Sequence, residues 1–371
     1  MIAQVGLFVA GLVALVAGAE LLVRGASKLA LAFGISPLVV GLTVVAFGTS
    51  APEMAVSVGA VLGGSTDLAL GNAVGSNSFN VLFILGLAAL ITPLAVHVQV
   101  IRQEAPILIG SALLLIVLAQ DGRIGLFDSA LLFGLLIAYT VFLVVQSRTQ
   151  NAAAAAAGTS AAGDYDSELT PLEPGRWDSR PVVQVALVLA GLALLVGGSQ
   201  ALVGAAVHFA KALGVSDVVI GLTIVAAGTS LPEVAASVTA AVKGERDIAV
   251  GNVVGSCVFN ILGVLGLAGL AAAGIGLDGL AVPDAVRHFD LWVMLAALVA
   301  CLPVFLSGRE IARWEGLLFL LYYAAYTAYL VLAAQEHAVL PAFSQVMMGF
   351  VIPLTLVTLV VAMLPRPART R

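Results

Sequence analysis

Charge is what this sequence has least of. Only 10% of its 371 residues are Asp, Glu, Lys or Arg, against roughly 25% in ordinary soluble proteins, which excludes a water-soluble globular fold. Cysteine is scarcer still. Cys257 and Cys301 lie in separate apolar stretches, so no disulfide framework is implied and both read as small hydrophobes. The four histidines, His97, His208, His288 and His337, fall near the ends of apolar runs without metal-ligand spacing. No basic segment precedes the first apolar run, which starts at Ile2 and is too long for the core of a signal peptide. It reads as a retained first span. The short alternating segments of a β-barrel are also missing, so the apolar runs are helices. The net charge of −5 says little where most surface faces lipid, and nothing points to nucleic acid as a partner.

What is present is hydrophobicity, 61% of all residues, arranged in eleven runs. They fall near 2–23, 36–62, 68–91, 104–120, 126–146, 181–203, 216–242, 248–273, 289–307, 316–334 and 343–364. About 20 apolar residues suffice to cross a bilayer. The fifth and sixth runs are separated by residues 147–180, rich in Ala, Gly and Pro with an acidic patch at Asp164, Asp166 and Glu168. That composition reads as a solvated flexible linker; it has no calcium-loop spacing. With the N-terminus outside, inside segments hold thirteen of the sixteen basic residues and outside segments hold Arg123, Lys211 and Arg287. This asymmetry puts the linker and the C-terminal tail in the cytoplasm.

An internal repeat organises the chain. Residues 41–90 and 221–270 align without a gap at an offset of 180, with 30 of 50 positions identical. The register extends back through Gly11/Gly191 and Glu20/Gln200. Five spans separate equivalent points, so the second copy enters the membrane upside down, the inverted-repeat plan of secondary transporters. The expected fold is therefore an all-α polytopic membrane protein. Two inverted five-helix repeats, residues 1–146 and 181–335, supply ten core transmembrane helices, and an eleventh helix with a basic tail occupies 336–371.

Within each repeat the polar residues are the unusual ones. Gly48-Thr49-Ser50-Ala51-Pro52-Glu53 recurs as Gly228-Thr229-Ser230-Leu231-Pro232-Glu233. Proline removes a backbone donor in mid-span, which is expected to free carbonyls around Ala46–Thr49 and Ala226–Thr229. Hard cations seek such oxygens. An intramembrane carboxylate costs about 3 kcal/mol on insertion scales and marks a functional site by default. Glu53 and Glu233 together carry the charge that one Ca²⁺ neutralises. The next span carries Gly71-Asn72, Gly75-Ser76 and Asn80, repeated as Gly251-Asn252, Gly255-Ser256 and Asn260. Ser76 and Asn80, like Ser256 and Asn260, share a helix face and offer neutral oxygens to Na⁺ or Ca²⁺. Asn72 and Asn252 read equally well as ligands or as links between helices. Glu20 and Arg24, four apart at the inner end of the first span, read as a local pair.

These two stretches resemble the α-repeats of the calcium/cation antiporter superfamily, most closely the prokaryotic sodium/calcium exchangers. The resemblance implies a core of the second, third, seventh and eighth spans. It implies calcium held by Glu53, Glu233 and the carbonyls of Thr49 and Thr229, and sodium sites that add Ala46, Ser50, Ser76, Ala226, Ser230 and Ser256. The first and sixth spans would slide against this core in a prokaryotic inner membrane. Two departures stand out. Asn260, matching Asn80, replaces an aspartate found in many exchangers, which puts potassium co-transport in doubt, and the eleventh span exceeds the family's ten. The linker leaves no room for the calcium-sensing domains of animal exchangers. The leading expectation is Na⁺/Ca²⁺ antiport without a cofactor and without enzymatic activity. H⁺/Ca²⁺ antiport is the alternative, and a membrane scaffold or cation channel the alternative of another class. Monomer or homo-oligomer stays open.

Overall fold

The computed structural model describes residues 2–33, 35–156, 180–213 and 226–363. The rest of the linker, the start of the second repeat's alignment (221–225) and the arginines at 366, 369 and 371 lie outside the described residues. The helices are α1 (Ile2–Phe33), α2 (Pro37–Thr49), α3 (Ala51–Leu62), α4 (Thr66–Ile91), α5 (Val100–Asp121), α6 (Leu126–Ala156) and α7 (Pro181–Ala212). They continue as α8 (Ala226–Thr229), α9 (Leu231–Val242), α10 (Arg246–Gly274), α11 (Val286–Leu306), α12 (Arg313–Ala334) and α13 (Leu340–Thr358). Nine of these helices are each long and apolar enough to cross a membrane, and α2 with α3 forms one more crossing, bent by 41°. The protein is a helical, multi-pass membrane protein.

The inversion of the repeats is visible in how their first helices meet. Gly11 faces Gly198, Gly18 faces Gly191 and Gly25 faces Gln184. Residue numbers rise on one helix as they fall on the other, so α1 and α7 are antiparallel although related by sequence. The contact is backbone to backbone: a Cβ on Gly191 would lie 2.6 Å from the Leu22 nitrogen and 2.7 Å from the Gly18 carbonyl. Small residues allow this approach, where dispersion rather than the hydrophobic effect drives association. Gly191→Ala is therefore expected to lower the Tm of the solubilised protein by an amount corresponding to about 1–3 kcal/mol. Gly197→Ala, with nothing within 4 Å of its Cβ, is expected to leave it unchanged or slightly raised.

Two short antiparallel ribbons tie the halves together. Strand β1 (Leu94–Ala95) pairs with β4 (Glu310–Ile311), and β2 (Arg123–Ile124) with β3 (Leu280–Ala281). Each ribbon draws one strand from each half, so its two strands lie at the same face. Between β2 and β3 the chain runs through α6, α7 and α10, an odd number of crossings. A fourth is needed to return to the same face, and α8 with α9 is its described part. The equivalent hairpins α3–α4 and α9–α10 both turn on a glycine with positive φ, Gly64 at +85° and Gly244 at +84°.

The repeat also reaches beyond the stretch that aligns without gaps. A π-helical turn opens α5 at Val100–Glu104 and α11 at Val286–Asp290. In one, Tyr139 donates its hydroxyl to Glu104 at 2.8 Å; in the other, Tyr326 donates to Asp290 at 2.7 Å. Glu104 is fully buried and also accepts from the side-chain amides of Gln99 and Gln103. These acid–tyrosine pairs pin each α5- or α11-type helix to the one that follows.

Three boundaries differ from the hydropathy reading. α1 continues past Val23 to Phe33 and α7 past Val203 to Ala212, making each 32 residues long, about 48 Å. Arg24 and Lys28 end the apolar run but do not break the helix, because the breakers come only at Gly34 to Pro37. α6 runs through Ser147 to Ala156, since alanine is the best helix former. α13 lies at the periphery, joined to α12 by a 2.7 Å hydrogen bond from Tyr322 to Thr355.

Candidate ion-binding site

The second crossing of each repeat breaks where the sequence places Ser-x-Pro. Ser50 has φ −79°, ψ 2° and Ser230 has φ −89°, ψ 7°, outside helical values. Pro52 has no N–H to give Gly48, and Pro232 none for Gly228. The expected release of the Ala46 carbonyl is not complete, because Ser50 N still donates to it at 3.0 Å. The Gly228 carbonyl receives a 2.6 Å hydrogen bond from the Ser199 hydroxyl on α7. Ala226 opens α8, with its side chain outside the described residues.

Both glutamates sit in the first turn after the break, at the N-termini of α3 and α9, and both are fully buried. The serines cross over between repeats. Ser230 donates to Glu53 Oε1 at 2.8 Å, and Ser50 donates to Glu233 Oε1 at 3.3 Å. Ser230 also reaches Ser76 at 3.3 Å. Thr49 donates to Asn252 Oδ1 at 3.0 Å and lies 3.4 Å from Ser256 Oγ. The structure therefore brings Thr49, Ser50, Glu53 and Ser76 together with Ser230, Glu233 and Ser256 at the interface of the repeats. Each is buried.

Asn80 and Asn260 lie one helical turn further along, fully buried, within π-helical turns at Asn80–Leu85 and Phe259–Val264. A π turn is rare and is frequently found at functional sites. Asn260 donates to Asn77 Oδ1 at 3.2 Å. Asn77 gives no signal in the sequence because the repeat breaks there, with Cys257 at the equivalent position. Asn72 and Asn252 act as links. Asn72 donates to the Glu53 carbonyl at 3.2 Å and to Ser57 at 2.9 Å; Asn252 donates to the Glu233 carbonyl at 3.5 Å and to Ser237 at 2.8 Å. Each asparagine fastens the glutamate's helix to the next one. Ser57 and Ser237, both fully buried, are further members that the motif reading omits; their signal is the E-x-x-x-S spacing shared by the repeats.

The chemistry follows from what these atoms still lack. Among the described residues, the buried oxygens Glu53 Oε2, Glu233 Oε2, Asn80 Oδ1 and Asn260 Oδ1 accept no hydrogen bond. An unpaired buried acceptor costs about 1–3 kcal/mol, and here carboxylate oxygens carry that cost in the middle of a membrane protein. The crossing serines place both carboxylates at one cluster, since Ser230, three residues before Glu233, bonds Glu53, and Ser50, three residues before Glu53, bonds Glu233. Two anionic and several neutral oxygens suit a hard cation. Among the described residues no group of three or more His, Cys, Asp or Glu forms a softer metal centre.

Comparison with known proteins identifies the family. The family described as sodium/calcium exchanger protein matches residues 3–145 and 183–332, one block in each half. A putative antiporter, CaxA, of Alkalimonas amylolytica is 40% identical over 319 residues, covering 85% of this chain and 95% of the relative. The sodium/calcium exchanger MaX1 of Methanosarcina acetivorans is 33% identical over 340 residues, covering 85% and 95%. Among solved structures, the sodium-calcium exchanger NCX_Mj, in crystals soaked with Na⁺ and Sr²⁺, superposes with a TM-score of 0.72 at 29% identity, covering 88% of this chain and 98% of its own. With both halves matched and the polar residues of both breaks meeting in one buried cluster, this chain belongs to the sodium/calcium exchanger family, a family of transporters rather than enzymes.

Proposed function

We propose that this protein exchanges Na⁺ for Ca²⁺ across the membrane by alternating access, the two cations competing for a central site built on Glu53 and Glu233. The observation that carries the reading is the crosswise arrangement, in which each repeat's serine holds the other repeat's glutamate. Neither half has a site alone. Ca²⁺ would be held by both carboxylates with the Thr49 and Thr229 carbonyls. Na⁺ would share the carboxylates and take Ser50, Ser76, Ser230, Ser256 and the carbonyls of Ala46 and Ala226, with Asn80 and Asn260 as neutral donors. Because both ions need the same two charges, they exclude each other. Occupancy by either neutralises the site and permits the switch.

The neutral hydroxyls and amides favour sodium over protons as the coupling ion, since a proton needs no such shell. The similarity to the sodium/calcium exchangers MaX1 and NCX_Mj points the same way. The first and sixth spans, α1 and α7, slide against the core of the second, third, seventh and eighth spans, with the N-terminus outside and the linker and tail in the cytoplasm of a prokaryotic inner membrane. The test is calcium uptake into proteoliposomes, driven separately by a sodium gradient and by a pH gradient, with ionophore controls. Uptake is expected with the sodium gradient only. Uptake with the pH gradient alone would assign the coupling to protons.

A further inference from the structure

The first helices of the two repeats are not fastened alike. α1 packs along α9, and the end of this contact is polar. Ser27 donates to Glu245 Oε1 at 2.8 Å, with both residues buried. Lys243, in the turn after α9, forms an ion pair with Glu20. Together with Arg24 and Lys28 these residues line a charged cavity of about 260 Å³.

Repeat symmetry puts the counterpart of this contact between α7 and the α3–α4 hairpin at the opposite face. The residues for it are not there. Glu20, Ser27, Lys243 and Glu245 correspond to Gln200, Val207, Gly63 and Ser65, so both acidic groups and the lysine are lost. Among the described residues α7 makes no comparable packing along α3. Instead α7 meets the first repeat at its break, with Leu192 packed on Gly48, beside a largely apolar cavity of about 720 Å³ lined by residues that include Phe47, Ala51 and Gln200. A polar tie of α7 also runs within the second repeat, from Ser199 to the Gly228 carbonyl. The counterpart of Ser199 is Ala19, which has no donor to give.

We propose that Glu20, Ser27, Lys243 and Glu245 form a one-sided latch that fastens α1 to the α9–α10 hairpin and sets which face of the transporter is closed at rest. The latch rests on the alternating-access reading in one respect, that α1 moves against α9. In the orientation given above it closes the cytoplasmic face. At the other face the positions equivalent to the latch carry neither an acid nor a lysine, so the two conformations differ in free energy before any ion binds. A pair as exposed as Glu20–Lys243 is screened by salt, whereas the buried Ser27–Glu245 bond is not.

The test is the reactivity of a cysteine placed in the latch cavity, Val23→Cys, in protein lacking the native thiols (Cys257→Ala, Cys301→Ala), reconstituted without Ca²⁺ and exposed to a methanethiosulfonate reagent. Glu20→Gln and Lys243→Gln are each expected to raise the labelling rate about two- to fivefold, and Glu245→Gln about fivefold. The charge swap Glu20→Lys with Lys243→Glu should return the rate towards that of the parent, and Ser65→Ala should leave it unchanged. Hydrogen exchange of residues 20–28, in chains keeping Val23 and both cysteines, provides the same comparison without the reporter thiol. Rates unchanged in all three single variants by both methods, or raised equally by the charge swap, would overturn the latch. Transport driven by protons rather than sodium would leave these outcomes untouched, so failure of the coupling reading and failure of the latch are separable.

Discussion

Glu53→Gln and Glu233→Gln are each expected to reduce sodium-driven calcium uptake to background while leaving the protein folded. Glutamine keeps the shape of the side chain and an oxygen for the crossing serine, Ser230 or Ser50, so the helix break and its packing persist. What disappears is one of the two charges facing a divalent ion. Ca²⁺ then sits in a water-poor site with a positive charge uncompensated, and breaking a buried pair in this way costs about 3–5 kcal/mol. That is roughly 100- to 5,000-fold in affinity. The Tm of the ion-free protein should hold or rise, because a fully buried carboxylate has been replaced by a neutral group that is cheaper to bury. Uptake rates measured beside Tm separate the cases: near-normal exchange in either variant would remove that residue from the site, and a collapsed Tm would assign the loss to folding.

The second large effect concerns membrane potential. The site carries −2 from Glu53 and Glu233, with Asn80 and Asn260 both neutral. One Ca²⁺ brings it to zero, and so do two Na⁺. A third Na⁺, for which the neutral oxygens of Ser50, Ser76, Ser230 and Ser256 provide, leaves the loaded site at +1, so each cycle moves net charge. One charge across 100 mV is worth about 2.3 kcal/mol, which shifts the equilibrium calcium gradient about 50-fold. Proteoliposomes clamped with potassium and valinomycin at two potentials are expected to show this shift. Exchange indifferent to the clamp would restrict the sodium load to two ions.

Much of the architecture is legible in the amino-acid sequence. The 180-residue offset, the odd number of spans between copies and the doubled Gly-Thr-Ser-x-Pro-Glu specify the inverted plan and single out both glutamates, because a carboxylate or a proline in mid-membrane has few neutral explanations. Helix ends are less legible. Arg24 and Lys28 lower hydropathy without lowering helix propensity, so α1 outruns its apolar run. Contacts between repeats are not legible at all. That Ser230 reaches Glu53 rather than Glu233 depends on how two helices cross. Asn77 and Ser199 lie at positions where the copies differ, whereas a repeat draws attention to positions where they agree. The Glu104–Tyr139 and Asp290–Tyr326 pairs are hidden because the offset between repeats drifts after the third span.

One calcium ion, held between two repeats in competition with sodium, is the core of the proposed mechanism. Equilibrium binding of ⁴⁵Ca²⁺ to the purified protein, titrated with NaCl against choline chloride at constant ionic strength, measures this directly. The expected result is one Ca²⁺ per chain, displaced by sodium with a steepness above one and lost in Glu53→Gln and Glu233→Gln. Calcium that sodium does not displace, or that remains bound in either variant, would contradict it.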